Sequence, residues 1–432
     1  MKKILLFLLV FIGIGLLLIY LSVGETKDTF RTCTITSTEV IGEVDFRKFD
    51  SIKVAANTLY SASKLKEIMQ GQQYRKAWSA PVTVPIAYLD TLEGGLKIIK
   101  EGGGKQTHSL KLSDNNRIIY TLRSLSKDPH QLVPEFAKAL GLENIIVDGV
   151  SAQHPYSALV VAQLSDDADI LHTRPTLYFI PKQESLGKFN DKYGDRLYYF
   201  EYESEGKVNW TSIKDVSEIV DTDDLLKLKN KHPELITVDK PSLIRARLFD
   251  ILIGDWDRHA KQWGWVLRDT SDRQIAIPLP TDRDNAFFNL EGVIPKLIAN
   301  KHTLPEVQPF TKDIHFLPGL VSDFDEYFLR GSSSEVFLEQ AKILQKSLTD
   351  KKIDDAFHSW PLNIRKLDAD KIISTLKYRR DQLDSIAVEY HNIIIERPIK
   401  EILLKGCEDL ELQNGLKKCF DCLADQETSL LN

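Results

Sequence analysis

A run of twenty uncharged, mostly apolar residues occupies Ile4–Val23. A helix of this length, with a rise of about 1.5 Å per residue, would be about 30 Å long and would match the hydrocarbon core of a bilayer. Lys2 and Lys3 precede the run and predict a cytoplasmic amino terminus, with the body of the chain extracytoplasmic, either periplasmic or luminal. We therefore predict an uncleaved, single-pass membrane anchor in residues 1–24. The alternatives are a buried core helix and a cleaved signal, although Leu21–Gly24 fits a cleavage site poorly.

Beyond this run, short segments rich in β-branched and aromatic residues predict strands. These segments are 107–112, 118–125, 175–181 and 196–202. The first two flank the turn-forming residues Ser113–Asn116, which predicts a hairpin. Spacing of apolar residues at helical intervals predicts helices as well. These helices are expected at 51–70, 134–140 and 156–170.

After about residue 211 the pattern becomes mainly helical. Asp239 and Pro241 suit the start of a helix, and Gly254 suits its end. Between them lies one apolar stripe, formed by Leu243, Ile244, Leu248, Ile251 and Leu252. Two short strands and then long amphipathic helices over 334–395 are predicted to follow.

These changes of pattern predict an α+β fold with two lobes and a ligand cleft between them. The predicted divisions are an anchor (1–24), a stalk and amino-terminal extension (25–95), a strand-rich lobe (96–210), a helical lobe (211–400) and a cysteine-containing tail (401–432).

Composition and charge exclude several classes of protein. The 432 residues are 43% hydrophobic, which is ordinary for a globular protein and excludes fibrous and disordered chains. Lys and Arg number 56 against 62 Asp and Glu, so the net charge of −6 gives no general attraction to nucleic acid, and we predict none as a partner. Four cysteines are too few for a disulfide scaffold and favour a structural disulfide in the tail over a zinc site. They are Cys33, Cys407, Cys419 and Cys422.

Three polar segments are candidates for a metal-binding or phosphate-binding site. The sequence Gly254–Trp263 (GDWDRHAKQW) follows the predicted apolar helix, and Pro278–Phe287 (PLPTDRDNAF) follows the predicted strand pair. Two acidic loops brought together in this way can bind Mg²⁺ or Mn²⁺, because hard cations prefer carboxylate and phosphate oxygens. Upstream, Glu101–Thr107 (EGGGKQT) is a glycine-rich turn whose backbone N–H groups can approach phosphate oxygens.

The order of these segments resembles that of atypical kinases of the HipA type and of the secretory-pathway protein and sugar kinases. The resemblance rests on GDWDRH and DRDNA, which match the catalytic loop and the metal-binding loop of those families. The segments GGGKQTHSL, YTLRSLSKDP, RARLFDILIGDWDRHAKQW and PLPTDRDNAF also resemble a group of bacterial membrane-anchored envelope proteins. The resemblance implies a two-lobed, protein-kinase-like domain that uses ATP, or another nucleoside triphosphate, and a divalent metal.

The resemblance also implies roles for single residues. Asp257 matches the catalytic aspartate, which orients or deprotonates the acceptor hydroxyl. Asp284 matches the metal-binding aspartate, with Asp282 as a neighbouring candidate. Gln262 stands where the HipA type has a metal-binding asparagine, and Ala286 replaces the usual glycine.

On the side of the nucleotide, the resemblance implies a phosphate-covering loop made by Gly102, Gly103 and Gly104. Arg123 stands where a lysine is usual as the phosphate-binding cation, with Lys127 close behind. Glu135 is the implied partner of this cation, and Glu201 is expected near the adenine.

Three functions are consistent with these residues. The first is a membrane-anchored phosphotransferase that moves the γ-phosphoryl of a nucleotide to a hydroxyl group of an unknown protein or glycan acceptor. The second is a catalytically inactive binding or scaffold protein of the cell envelope with the same fold. The third is a metal-dependent phosphohydrolase.

Overall fold

A computed structural model describes residues 2–23, 34–35, 44–102, 108–127 and 143–398 of the chain. Its first element is helix α1 (Lys2–Val23). The part Lys3–Val23 is long and apolar enough to cross a membrane, with a mean hydropathy of 3.1, and its apolar window is not buried against the rest of the protein. The apolar helix expected from the sequence is therefore present.

A small antiparallel sheet follows, in the order β1 (Thr34–Ile35), β2 (Ser51–Ala55) and β3 (Pro81–Pro85). Helices α2 (Lys64–Gln70) and α3 (Arg75–Ser79) connect β2 to β3. The helix predicted over 51–70 is wrong in its first part, because Ile52 and Val54 alternate with exposed residues and point into the core as in a strand. The helix begins only at Lys64, where the Ser63 side chain accepts a hydrogen bond from the Lys66 amide.

The largest sheet has five antiparallel strands. In chain order they are β4 (Lys97–Gly102), β5 (Ser109–Ser113), β6 (Ile119–Ser124), β7 (Thr176–Ile180) and β8 (Arg196–Tyr202), and their spatial order is β4-β5-β6-β8-β7. The β5–β6 hairpin confirms the prediction, and Asp114 Oδ1 closes its turn by accepting from the amides of Asn116 (2.9 Å) and Ile118 (2.8 Å). The helices of this region are α4 (Glu143–Gly149), α5 (Ser157–Asp167) and α6 (Asn190–Tyr193). The helix predicted at 134–140 lies outside the described residues.

The remaining sheet lies in the carboxy-terminal half and has four strands, in the order β10 (Ile236–Val238), β12 (Gln274–Pro280), β11 (Trp263–Asp269) and β9 (Val216–Asp221). Its elements in chain order are β9 (Val216–Asp221), α7 (Thr222–Lys231), β10 (Ile236–Val238), α8 (Lys240–Ile253), β11 (Trp263–Asp269) and β12 (Gln274–Pro280). The helices that follow are α9 (Val293–Ile298), α10 (Asp323–Leu329), α11 (Ser334–Ser347), α12 (Asp350–Ala356), α13 (Leu362–Asp381) and α14 (Leu383–Glu396). Short 3-10 segments occur at Phe46–Lys48, Leu92–Gly94, Val150–Ala152, Glu184–Phe189, Ala260–Gln262, Arg283–Asn285, Leu317–Leu320 and Phe357–Ser359.

Helix α8 is the central element of the carboxy-terminal half, and almost all of its residues from Leu243 onward are buried. Its ends are as predicted: Asp239 Oδ1 accepts from the Ser242 amide at 3.1 Å, and Gly254 ends the helix with φ +71°. A Cβ at Gly254 would lie 2.7 Å from the Phe310 ring, so both conformation and space favour glycine here.

One hydrophobic core extends from the amino-terminal strands to the last helices, through Val54, Phe179, Leu248, Trp265, Phe337 and Tyr390. A smaller core packs one face of the five-stranded sheet. Strand-rich segments thus precede helix-rich ones around a shared core, and the predicted α+β class is confirmed.

Candidate active site

The turn after α8 presents Asp257 to solvent. The backbone leaves the helix at Gly254, and the Asp255 amide then donates to the Asp250 carbonyl at 2.9 Å. Asp255 Oδ1 accepts from the Asp257 amide at 3.3 Å, which fixes the backbone beneath the Asp257 side chain. That side chain is 34% exposed, so it is open to an incoming ligand.

The turn after β12 carries Asp282 and Asp284. Asp282 has a left-handed backbone (φ +52°), and the 3-10 turn that follows directs Asp284 inward. Asp284 Oδ1 is buried and accepts no hydrogen bond within the described part of the chain. Burial, together with the charge of Asp282, raises the pKa of Asp284 to about 6. For Asp282 the effect of burial is outweighed by the charges of Arg123 and Lys127, which lower its pKa to about 2.

Two cations from the five-stranded sheet face these carboxylates. Arg123 on β6 donates through Nε to Glu201 on β8 at 2.8 Å, and its Nη1 contacts both Asp282 and Asp284, the latter at 3.3 Å. Lys127 Nζ lies 2.6 Å from Asp284 Oδ2. The five-stranded sheet thus supplies positive charges, and the turn after β12 supplies the negative charges that they contact.

An amide chain connects this cluster to Asp257. Gln153 Nε2 donates to Asn285 Oδ1 at 2.6 Å, and Asn285 Nδ2 lies 3.5 Å from Asp257 Oδ2. His259 Nε2 lies 3.7 Å from the other carboxylate oxygen, Oδ1. The Asp257 carboxylate is thus oriented from both sides while one face stays exposed.

A buried ion cluster beneath the surface holds the two acidic turns together. Asp250 Oδ2 accepts from Arg247 (3.0 Å) and from Arg258 (3.1 Å), while Oδ1 accepts from Arg283 (2.9 Å). Burial alone would raise the pKa of Asp250, but the three guanidinium charges lower it. Arg258 belongs to the Asp257 turn and Arg283 to the Asp284 turn, so one carboxylate on α8 fixes both.

Above this buried cluster, the side chains of Asp257, Asp282 and Asp284 and the two cations of the five-stranded sheet line a cleft of about 500 Å³. Of the residues singled out in the sequence, the cleft brings together Arg123, Lys127, Glu201, Asp257, Gln262, Asp282 and Asp284. Gly102 lies outside this lining, at the end of β4, where it pairs with the cleft residue Ser109. Gly103, Gly104, Glu135 and all four cysteines lie outside the described residues.

Sequence reasoning missed four residues that shape the site. Gln153 and Thr173, whose hydroxyl donates to Glu201 in the cleft, come from distant segments, and no local pattern marks them. Asn285 is noticeable only as the neighbour of Asp284. Asp250 carries a signal in the sequence, because it is the one acidic residue of the largely buried α8.

The described residues contain no group of three or more His, Cys, Asp or Glu side chains arranged to hold a metal. Asp284 and Asp282 nevertheless fit Mg²⁺ or Mn²⁺, because these ions are usually bound by one or two carboxylates together with substrate phosphates. The unpartnered Oδ1 of Asp284 is an available ligand atom of the right kind. Gln262, the third predicted ligand, is buried, has its Nε2 3.5 Å from His259 Nε2 and lines the same cleft.

Eight solved chains match this one, and two of them are as follows. One is the Helicobacter pylori proinflammatory kinase CtkA, at 16% identity over 67% of this chain and 94% of that one, with a TM-score of 0.33. The other is HipA in the Shewanella oneidensis MR-1 HipA–HipB–operator DNA complex, at 12% identity over 74% of this chain and 78% of that one, with a TM-score of 0.31. No protein-family model matches the sequence, and no curated protein does. At TM-scores of this size the two neighbours carry no information about the reaction, which has to be inferred from the cleft.

Proposed function

We propose that this protein is a membrane-anchored, kinase-like phosphotransferase that moves the γ-phosphoryl of ATP, or of another nucleotide, to a protein or glycan hydroxyl. The observation that carries the proposal is the cluster in which Arg123 and Lys127 face Asp282 and Asp284 beside the exposed Asp257. Phosphoryl transfer needs cations for phosphate, oxygen ligands for a divalent metal and a carboxylate for the acceptor. All three kinds of group meet in this cleft.

Nucleotide binding would exchange partners within the cluster. Without a ligand, the Arg123 and Lys127 cations are neutralised by Asp282, Asp284 and Glu201. Phosphate oxygens can replace the aspartates on both cations, since a guanidinium binds them bidentately and an ammonium binds them as a point charge. Asp284 and Asp282 would then be available to a metal ion, which supplies positive charge to the phosphate oxygens when it is bound.

Asp257 would act on the acceptor. Its carboxylate accepts the proton of the attacking hydroxyl while a new phosphorus–oxygen bond forms and the bond between the γ-phosphorus and the β-phosphate oxygen breaks. Asn285 and His259 hold the carboxylate in position from the two sides described above. The nucleoside diphosphate leaves with the electron pair of the broken bond.

A nucleotide-binding scaffold without activity is the second candidate. Arg123 favours it, because one side chain contacts three carboxylates and ties the two lobes together across the cleft. A protein of this kind would bind nucleotide and transfer nothing to any acceptor tested.

Thermal unfolding of the full chain with ATP or GTP, with and without Mg²⁺ or Mn²⁺, tests the proposal. We expect nucleotide to raise the melting temperature and the metal to raise it further. Asp284→Asn should remove the additional effect of the metal while keeping the effect of nucleotide alone, because Arg123 and Lys127 remain. Asp272→Asn, on an exposed turn between β11 and β12, is the matched control and should behave as wild type. Equal metal effects in Asp284→Asn and wild type would contradict the role of Asp284.

We also propose that the body lies on the extracytoplasmic side of the membrane, because Lys2 and Lys3 precede α1. A carboxy-terminal alkaline phosphatase fusion should then be active, and a green fluorescent protein fusion exported by the same route should be dark. The opposite pattern would put the cleft in the cytoplasm, where ATP is abundant. A periplasmic cleft would instead require an imported or alternative nucleotide donor.

A further inference from the structure

The carboxy-terminal end of α1 packs against the body of the protein. Ser22 and Val23 are buried, and Gln70 Nε2 at the end of α2 donates to Ser22 Oγ at 3.3 Å. Asn144 Nδ2 lies 3.5 Å from the Val23 carbonyl oxygen. The surface around the end of α2 is therefore the part of the body nearest to the exit of α1.

Helix α9 adjoins α2 at this place. A Cβ on Gly292, which precedes α9, would lie 2.4 Å from the backbone nitrogen of Gly71, which ends α2. Both glycines have positive φ, +97° for Gly71 and +92° for Gly292, so the two helix ends meet backbone against backbone. The two helices form one continuous surface, which we call the α2–α9 face and define by Ile68, Val293, Lys296, Leu297 and Ile298.

This face is unusually apolar for one open to water. Outside α1, the most exposed large apolar side chains of the described residues are Leu297 (69%), Leu362 (65%) and Ile68 (64%), and two of these three lie on the α2–α9 face. Val293 and Ile298 are each about half exposed beside Leu297. Grouped apolar side chains of this kind mark a surface that binds a partner or a membrane.

Exposed basic side chains lie near the apolar ones in sequence. Lys64 on α2, Lys296 on α9 and Lys301 just beyond α9 are all exposed. Apolar side chains with lysines nearby suit a lipid interface, because the former enter the boundary of the acyl chains and the latter contact the phosphate of the head groups.

We infer that the α2–α9 face rests on the membrane surface next to the point where α1 leaves the bilayer. The inference rests on the membrane anchor proposed above, and its occupant, a phospholipid surface, follows from the continuity of this face with α1. Asp284 precedes Gly292 by eight residues, and Phe288 and Leu290 between them are buried. A short segment with buried side chains therefore connects the face to the acidic turn of the cleft.

The test uses the full chain in nanodiscs of phosphatidylglycerol and phosphatidylcholine, with the photoreactive residue benzoylphenylalanine at one position at a time. Positions 297 and 68 report on the face, and position 362 is a control of equal exposure on α13. Position 11, within α1, reports on the anchor itself. We expect lipid adducts, detected by mass spectrometry, at positions 11, 297 and 68, and none at position 362.

Adducts at position 11 without adducts at 297 and 68 would overturn the inference and leave the anchor intact. Equal lipid labelling at 297, 68 and 362 would overturn it too, as would crosslinks from 297 to a second copy of the chain. An absence of adducts at all four positions would remove the anchor and, with it, the inference. None of these outcomes depends on nucleotide binding, so the kinase-like proposal is judged separately.

Discussion

Asp257→Asn should lower the rate of phosphoryl transfer by about 10²–10⁴-fold, the usual contribution of general base catalysis. An amide cannot accept the hydroxyl proton, whereas its oxygen can still accept the hydrogen bond that Asn285 directs to Asp257 Oδ2. Nucleotide binding should therefore change little, because the cations of the cleft are untouched. The rate is measured as transfer of labelled γ-phosphate to protein or glycan acceptors, and binding as the nucleotide-dependent rise in melting temperature.

The control for this variant is again Asp272→Asn, which makes the same chemical change at a surface pair with Arg273. It should transfer phosphate at the wild-type rate. If Asp257→Asn were as active as wild type, Asp257 would not be the base. If wild type and Asp257→Asn both bind nucleotide and neither transfers phosphate, the scaffold function is favoured instead.

Local signals were sufficient for most of the fold. Hairpin β5–β6 follows from a turn whose Asp114 side chain bonds two amides, and α8 follows from Asp239, Pro241 and Gly254. The helix predicted from residue 51 is wrong because apolar spacing there fits two periods, and burial against the core selects the strand. Only two strands of the four-stranded sheet, β11 and β12, were predicted from the sequence. The other two, β9 and β10, pair with them through contacts between residues that are distant in sequence.

The site was predictable where its residues are adjacent in sequence and unpredictable where they meet only in space. Asp257 and Asp284 stand in recognisable turns, and the structure brings both to one cleft. Gln153 reaches Asn285 from 132 positions away, and no pattern near Gln153 indicates this. The role of Asp257 in catalysis and the role of Asp284 in metal binding stay predictions, which the variants proposed above test.

Loss of Asp250 should strongly reduce the stability of the protein. Asp250 is fully buried and accepts from three guanidinium groups, of which Arg258 and Arg283 belong to the two acidic turns of the cleft. Replacing it by alanine leaves these positive charges buried without their shared partner, and removing one member of a buried ion pair costs about 3–5 kcal/mol. We expect Asp250→Ala to lower the free energy of unfolding by this amount, measured by denaturant titration of the full chain in detergent.

Asp250→Asn separates charge from shape, because the amide fills the same space and its oxygen can still accept one of the guanidinium hydrogen bonds. Its effect should lie between those of alanine and wild type. Asp272→Asn breaks an exposed aspartate–arginine pair and should change the free energy of unfolding by less than about 1 kcal/mol. If Asp250→Ala unfolded at the same denaturant concentration as wild type, the buried cluster would not be what holds the two turns in register. A kinase-like cleft would then need another source of its geometry, since Asp257 and Asp284 lie on separate turns that share this one buried carboxylate.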